Sequence, residues 1–184
     1  MIKNKIIKES FKVLILGSMI SSFGGFGLEV VKEKLLVFLP LLIVLPALTN
    51  MIGHAGIIFV SKITTYFHMR RLKYDKLNSR LTRHLLLILI IIFSLSSAYV
   101  TFLSIFVSYL KGYSFELDFG LKMFGVVFLT TLAIILIVFC VALYGARYAH
   151  QRNIDPDDFL IPITTSIADL GSLIVFSLLV FWMF

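Results

Sequence analysis

Long apolar stretches alternate along the chain with short segments that hold most of the charged residues. A helix that crosses a bilayer needs about 20 predominantly apolar residues, and five stretches reach or approach that length. The pattern predicts an all-α integral membrane protein with one domain over residues 1–184 and five transmembrane helices, called predicted helices 1 to 5 below. Their approximate bounds are 12–31, 35–65, 84–110, 120–149 and 157–184.

Composition and charge strengthen this interpretation. Hydrophobic residues make up 59% of the chain and charged residues only 15%, with a mean hydropathy of +1.00. A soluble domain carries about 25% charged residues, so the apolar surface here must face membrane lipid. The net charge of +7 sits at the ends of the apolar stretches, which indicates membrane orientation and no nucleic-acid partner.

The positive charges also predict the topology. With the N-terminus in the cytoplasm and five crossings, 13 of the 17 Lys and Arg residues lie on the cytoplasmic side and 4 on the other. This bias predicts a cytoplasmic N-terminus and an external C-terminus in a multi-pass protein of the cell membrane. The first apolar stretch has no clear small-x-small cleavage site, so we expect a retained helix rather than a signal peptide.

Asp169 is the one charged residue deep within an apolar stretch. A charged side chain at the bilayer centre costs about 2.5–3.5 kcal/mol on insertion scales, so it usually faces a partner or a cavity. Thr165, Ser166 and Ser172 fall on the same predicted helical face. A structural, protonated or hydrogen-bonded Asp remains the alternative, but we favour an ion or proton site.

Predicted helix 2 offers polar groups at a similar depth. Asn50, Gly53 and His54 share one face, and Gly53 and Gly56 expose backbone to a close neighbour. Counted at 1.5 Å per residue from the cytoplasmic end, His54, Asp169 and Asn50 lie at about 12, 16 and 18 Å. This predicts a shared polar site, although a membrane His is more often a packing residue than a metal ligand.

Predicted helix 5 opens on a cluster of acidic residues. Asp155 suits the N-cap, and Pro156 suits the first helical position. Asp157 and Asp158 then favour the positive end of the helix dipole. A well-formed helix start explains the cluster, while the functional alternative is an acidic cytoplasmic mouth that gathers cations.

Other common chemistries have no signature in the sequence. It contains no Cys/His metal cluster, no phosphate-binding glycine loop and no nucleophilic triad pattern. We therefore predict that the protein is not an enzyme and holds no cofactor.

Two segments resemble a known family. The stretch 152–171, with its Asp-Pro-Asp start, Pro162, small polar residues and Asp169-Leu170, is similar to the last membrane helix of the MgtE-type magnesium transporters and their eukaryotic solute-carrier relatives. The stretch 46–69 resembles that family's second helix. There His54 stands where the family usually has Asn, and Ile58 where bacterial members often have Gln.

The resemblance implies transport of Mg²⁺ or another divalent cation, which is cargo rather than a cofactor. The eukaryotic relatives fuse two such units, so a single unit implies a homodimer with the pathway at the two-fold axis. Predicted helices 2 and 5 would line it, with two facing copies of Asp169. The implied site residues are Asp169, Thr165, Ser166, Asn50, Gly53, His54 and Gly56.

The resemblance also carries expectations about ion and regulation. Mg²⁺ usually keeps several of its waters, so a wide polar site would hold a largely hydrated ion. Neutral His54 could accept a hydrogen from a bound water, whereas protonated His54 would repel the ion and weaken transport at low pH. The sequence lacks the family's cytoplasmic regulatory domains, including the paired CBS modules, so we expect no gating of that kind.

Two other functions remain open from the residues alone. Asp169 in a homodimer would also serve a small proton-coupled exporter of organic cations. A non-transporting membrane assembly protein would tolerate replacement of Asp169 by Asn. The sequence does not separate Mg²⁺ from Co²⁺, Mn²⁺ or Zn²⁺, nor a channel from Na⁺- or H⁺-coupled exchange.

Overall fold

The computed structural model describes residues 2–69, 80–114, 116–151 and 156–184. Six helices account for nearly all of these residues. They are α1 (Ile2–Val30), α2 (Lys32–Val37), α3 (Leu39–His68), α4 (Arg80–Leu110), α5 (Leu117–Gln151) and α6 (Pro156–Met183). For residues 2–10, 12–13, 67–68, 150–151 and 156–158 only the backbone is described.

The all-α class is confirmed, since the described residues contain helices and no strand. Four of the described helices include a segment long and apolar enough to cross a membrane: Leu39–Tyr66, Arg80–Leu110, Leu117–Ala149 and Phe159–Met183. A shorter apolar segment, Leu14–Val30, lies in α1. The fifth crossing and the orientation in the bilayer stay predictions.

The connection between predicted helices 1 and 2 is itself helical. Residues 32–37 form the separate short helix α2, and the chain leaves helical geometry at Phe38, with φ −105° and ψ 86°. Pro40 has no backbone N–H, so the hydrogen-bond ladder of α2 cannot continue through it. A proline is tolerated in the first turn of a new helix, which explains why α3 begins at Leu39 rather than at residue 35.

Helix α6 lies at the centre of the bundle. It packs against α1, α3 and α5, whereas α4 packs on the other side of α3 and α5. Contacts along α6 fix the relative directions of the helices. Gly17 and Gly27 of α1 meet Ser166 and Ser177 of α6, so these two helices are parallel.

The other neighbours of α6 run against it. Gly53 of α3 faces Asp169 and Gly56 faces Thr164, so residue numbers rise along α3 as they fall along α6. Contacts of α5 give the same antiparallel sense, with Gly125 against Met183 near one end of the bundle. Of the three long helices that pack on α6, α1 thus runs parallel to it and α3 and α5 run antiparallel to it.

Two apolar clusters hold the bundle together. One gathers buried side chains of α3, α5 and α6 towards the end of the bundle that holds Leu41 and Phe176. The other surrounds Phe59 and joins α3 to α4, α5 and Leu160 of α6. Since Phe59, Phe176 and Leu41 are fully buried, these clusters fix α3 and α6 against each other and thereby position Asp169.

Candidate functional site

Small residues bring α1 and α6 into close contact. A methyl group on Gly17 would collide with the Ser166 hydroxyl, and one on Gly24 would lie 2.5 Å from Leu173 Cδ1. Gly27 lies against the Ile174 backbone, since a methyl group on Gly27 would be 3.5 Å from Ile174 Cα. Such small-residue contacts let membrane helices approach backbone to backbone. The glycines of α1 therefore hold its serine-bearing face beside Asp169.

The crossing of α3 and α6 is also built on glycine. A methyl group on Gly53 would lie 3.8 Å from Asp169 Oδ1. Gly56 packs three residues further along α3, where its Cβ position is 3.3 Å from Thr164 Oγ1 and 3.5 Å from Val138 Cγ1 of α5. Gly53 thus leaves space for the Asp169 carboxylate, and Gly56 leaves space for the helix crossing.

Asp169 places its carboxylate between α1 and α3. Oδ2 accepts a hydrogen bond from Ser21 Oγ at 3.4 Å, while Oδ1 lies on the Gly53 side. A distance of 3.4 Å is at the long end for a hydrogen bond, so Ser21 orients the carboxylate without saturating its acceptors. The carboxylate is half-buried and can accept further hydrogen bonds from water or an ion's hydration shell.

An open cavity of about 410 Å³ lies along this carboxylate, between α1 and α6. Asp169, Thr165 and Pro162 form one wall, and Ser18 and Ser21 stand on the other. Six waters occupy about 180 Å³ at their volume in the liquid. The cavity is therefore large enough for a hydrated divalent cation with most of its first shell.

The polar residues of α3 lie on an open face of that helix. Asn50 and His54 are exposed on either side of buried Gly53. His54 Nδ1 is 2.7 Å from the carbonyl oxygen of Asn50. A carbonyl oxygen only accepts, so Nδ1 carries the hydrogen, and Nε2 of the neutral ring is left as an acceptor.

Several predicted site residues have other contacts. Ser166 is buried, and its hydroxyl donates to the Pro162 carbonyl at 2.7 Å. The Thr165 hydroxyl donates to the carbonyls of Ile161 and Pro162, although the residue lines the cavity. Gly56 faces the crossing of α3, α5 and α6 rather than the cavity. The structure therefore places Asp169, Thr165 and Ser166 on the wall of one cavity and Gly53 beside the Asp169 carboxylate. Asn50 and His54 are exposed on α3 and are not among the residues that line this cavity.

The side chains of the predicted acidic mouth lie outside the described part of the structure. Asp155 falls in the undescribed segment 152–155, and only the backbone of Asp157 and Asp158 is described, in the first turn of α6. The role of these three carboxylates stays a prediction.

Helix α1 supplies a wall of the site that sequence reasoning missed. Gly17, Ser18 and Ser21 line the cavity at helical spacing, together with Leu14. The available signal was a group of small or polar residues at i, i+1 and i+4 within the apolar part of α1.

In the described part of the chain, no three His, Cys, Asp or Glu side chains cluster closely enough to hold a metal ion. At the cavity, a single carboxylate is accompanied by hydroxyl groups. Such a wall can hydrogen-bond to the waters of a hydrated cation and attract its charge.

Comparison with known proteins identifies the family. The family model for the MgtE divalent cation transporters matches residues 45–179, which spans α3 beyond its first turns, α4, α5 and nearly all of α6. The match covers well over half of the chain, so the protein belongs to the MgtE family of divalent cation transporters, and not to a family of enzymes. A search of curated proteins found no match.

Proposed function

We propose that this protein carries Mg²⁺ across the cell membrane through a pathway at the interface of a homodimer, lined by α3 and α6 of both protomers. The observation that carries the proposal is the Asp169 carboxylate on the wall of an open polar cavity, between Ser21 and Gly53. Membership of the MgtE family supports divalent cation transport. The selectivity for Mg²⁺ and the lining by α3 and α6 are parts of the proposal that go beyond family membership.

The chemistry of the wall suits an ion that keeps its water. Mg²⁺ dehydrates reluctantly and binds through one or two carboxylates while retaining several waters. Asp169 offers one carboxylate per protomer, and Ser18, Ser21 and Thr165 offer hydroxyl oxygens at the cavity. Outer-shell contacts of this kind would favour a hydrated divalent cation over a monovalent one, because attraction to the carboxylate scales with ionic charge.

A second copy of the chain would complete the site. The open face of α3 presents Asn50 and His54 on either side of Gly53, which faces the half-buried Asp169. Polar groups in the hydrocarbon region face a protein interior or a water-filled cavity rather than lipid. Pairing this face with its two-fold copy would bring together two Asp169 carboxylates, matching the charge of a divalent ion.

We further propose five crossings with a cytoplasmic N-terminus. The apolar part of α1, Leu14–Val30, would extend about 26 Å at 1.5 Å per residue, close to the thickness of the hydrocarbon core. Its parallel alignment with α6 is compatible with an odd number of crossings. The placement of 13 of the 17 Lys and Arg residues on one side supports this orientation.

The transport proposal is tested in proteoliposomes that contain the purified full-length chain. We expect influx of a Mg²⁺ tracer down its gradient to exceed the influx into empty liposomes. Excess external Ca²⁺, Co²⁺ or Mn²⁺ should reduce this tracer influx less than excess unlabelled Mg²⁺ does. Imposing a Na⁺ or pH gradient at constant Mg²⁺ separates channel flow from coupled exchange. Organic-cation export driven by a pH gradient, without Mg²⁺ flux, would overturn the proposal in favour of a proton-coupled exporter.

The dimer is tested by cross-linking in membranes. Cys140, the single cysteine of the sequence, is first replaced by Ala, and His54→Cys is then introduced on the open face of α3. We expect a cross-linked dimer on mild oxidation. Leu95→Cys is the matched control, because Leu95 is 75% exposed on α4, away from α6. Equal cross-linking at both positions would indicate random collisions and contradict the assigned interface.

A further inference from the structure

A basic cleft lies on α4, away from the Asp169 cavity. Arg80, Arg83, His84 and Leu87 line a space of about 360 Å³ at the start of the helix. Their spacing of i, i+3, i+4 and i+7 places all four on one helical face. The cleft shares no lining residue with the Asp169 cavity, and α4 packs against α3 and α5.

The charges of the cleft have no counterion among the residues that the structure describes. Arg80, Arg83 and His84 are exposed, and no described carboxylate forms an ion pair with either arginine. Unpaired guanidinium groups at a membrane boundary offer planar, bidentate donors that match phosphate geometry. The cleft therefore has the charge and the donors for a phosphate group.

An apolar stripe continues from the cleft along the same face of α4. Leu87, Ile91 and Leu95 are 58%, 67% and 75% exposed, and they follow the cleft at successive helical turns. The opposite face of α4 carries Leu85, Leu89 and Phe93, which are buried in the core. A ligand with a charged head and a long apolar tail would fit both parts of this face at once.

From this juxtaposition, we propose that the Arg80–Arg83–His84 cleft binds the phosphate headgroup of an anionic phospholipid whose acyl chain lies along Leu87, Ile91 and Leu95. The phosphate would satisfy cations that have no carboxylate partner within the described part of the chain, and the acyl chain would cover the exposed apolar stripe. The site belongs to the cytoplasmic leaflet if the orientation proposed above holds. Lipid binding itself depends neither on that orientation nor on ion transport.

The test measures lipids bound to the purified full-length chain by native mass spectrometry. The protein in detergent is offered equal amounts of dioleoyl phosphatidylglycerol and dioleoyl phosphatidylcholine. We expect preferential retention of phosphatidylglycerol. The double variant R80Q/R83Q should weaken its apparent affinity by about 30-fold, at about 1 kcal/mol for each basic residue near an anionic surface.

Arg147→Gln is the control, because Arg147 is exposed on α5 outside the cleft. R147Q should leave phosphatidylglycerol binding unchanged. R80Q/R83Q should bind as much phosphatidylcholine as the wild type does, which shows that the double variant is folded. Inorganic phosphate at millimolar concentration should not displace the lipid, because it lacks the acyl chain. Equal retention of both lipids, equal losses in R147Q and R80Q/R83Q, or displacement by phosphate alone would overturn the proposal.

Discussion

Two stripes of polar residues cross the interior of this apolar bundle, and they have opposite environments. The α4 stripe consists of Ser97, Thr101, Ser104 and Ser108, all buried. Its hydroxyls donate to backbone carbonyls within 2.7–2.8 Å, three within α4 and that of Ser104 to Pro40 of α3. The Asp169 stripe consists of Asp169 and Thr165 of α6 with Ser18 and Ser21 of α1, which line an open cavity. Asp169 is half-buried and keeps free acceptors on its carboxylate.

The difference separates structural polarity from functional polarity. A hydroxyl on a membrane helix satisfies itself by donating to the carbonyl of an earlier turn, so it costs little in any packing environment. A carboxylate has only acceptors, and helical backbone offers it no free donor beyond the first turn. Polar residues in a membrane helix therefore point to a site only where a charge and open space coincide, as at Asp169.

The largest expected effect on ion influx comes from removing the negative charge that distinguishes the Asp169 stripe from the α4 stripe. Asp169→Asn keeps the shape of the side chain but removes the negative charge from both proposed copies. We expect divalent influx into proteoliposomes to fall about 10- to 100-fold, since loss of a hydrogen bond to a charged group costs about 1.5–3 kcal/mol. Asp118→Asn is the matched control, because Asp118 is exposed and pairs with Lys122 at 2.6 Å. Full activity of Asp169→Asn would make Asp169 as structural as the α4 serines.

A smaller effect is expected from the hydroxyl that touches the carboxylate. Ser21→Ala removes the donor to Asp169 Oδ2, and a hydrogen bond to a charged group at long distance is worth about 1 kcal/mol. We expect the apparent affinity for the ion to fall about fivefold with little change in the maximal rate, measured by influx against ion concentration.

The neighbouring serine provides the control for this prediction. Ser22 is exposed and its hydroxyl donates to Ser18 O at 2.8 Å, so Ser22→Ala should behave as wild type. Equal loss of affinity in both variants would mean that α1 acts through packing alone. In that case the serines of α1 at the cavity would have a structural role, like the buried hydroxyl residues of α4.

Space rather than charge is tested at Gly53. Gly53→Ala places a methyl group 3.8 Å from Asp169 Oδ1, an ordinary contact that keeps the fold but displaces water from the carboxylate. We expect a two- to threefold lower influx, on the order of the cost of displacing one ordered water whose hydrogen bonds a methyl group cannot replace. Gly125→Ala makes a similar contact, 3.4 Å from Met183 Cε, and gains the same helix propensity. Equal influx in the two variants would contradict a hydrated site at Gly53.

The sequence contained the charge and the helices but not the contacts. The long helices and the choice of Asp169 as a candidate site residue were predictable, because long apolar stretches favour membrane helices and a charge within one carries a strong local cost. The role of α1 was not, since Ser18, Ser21 and Ser22 have the same local preferences and only a tertiary contact distinguishes Ser21. The same reason separates Gly53, beside a carboxylate, from Gly56, inside a crossing.

The smallest effect tests the α4 stripe itself. Ser104→Ala removes the interhelical bond from Ser104 Oγ to Pro40 O, and such bonds in membrane proteins contribute about 0.6 kcal/mol on average. We expect a slightly lower free energy of unfolding in detergent and unchanged influx. Ser108→Ala, which removes a bond within α4, should lie closer to wild type in stability. If Ser104→Ala instead lowered ion affinity as much as Ser21→Ala, burial and hydrogen-bond satisfaction would no longer distinguish a structural stripe from an ion-binding one in this protein.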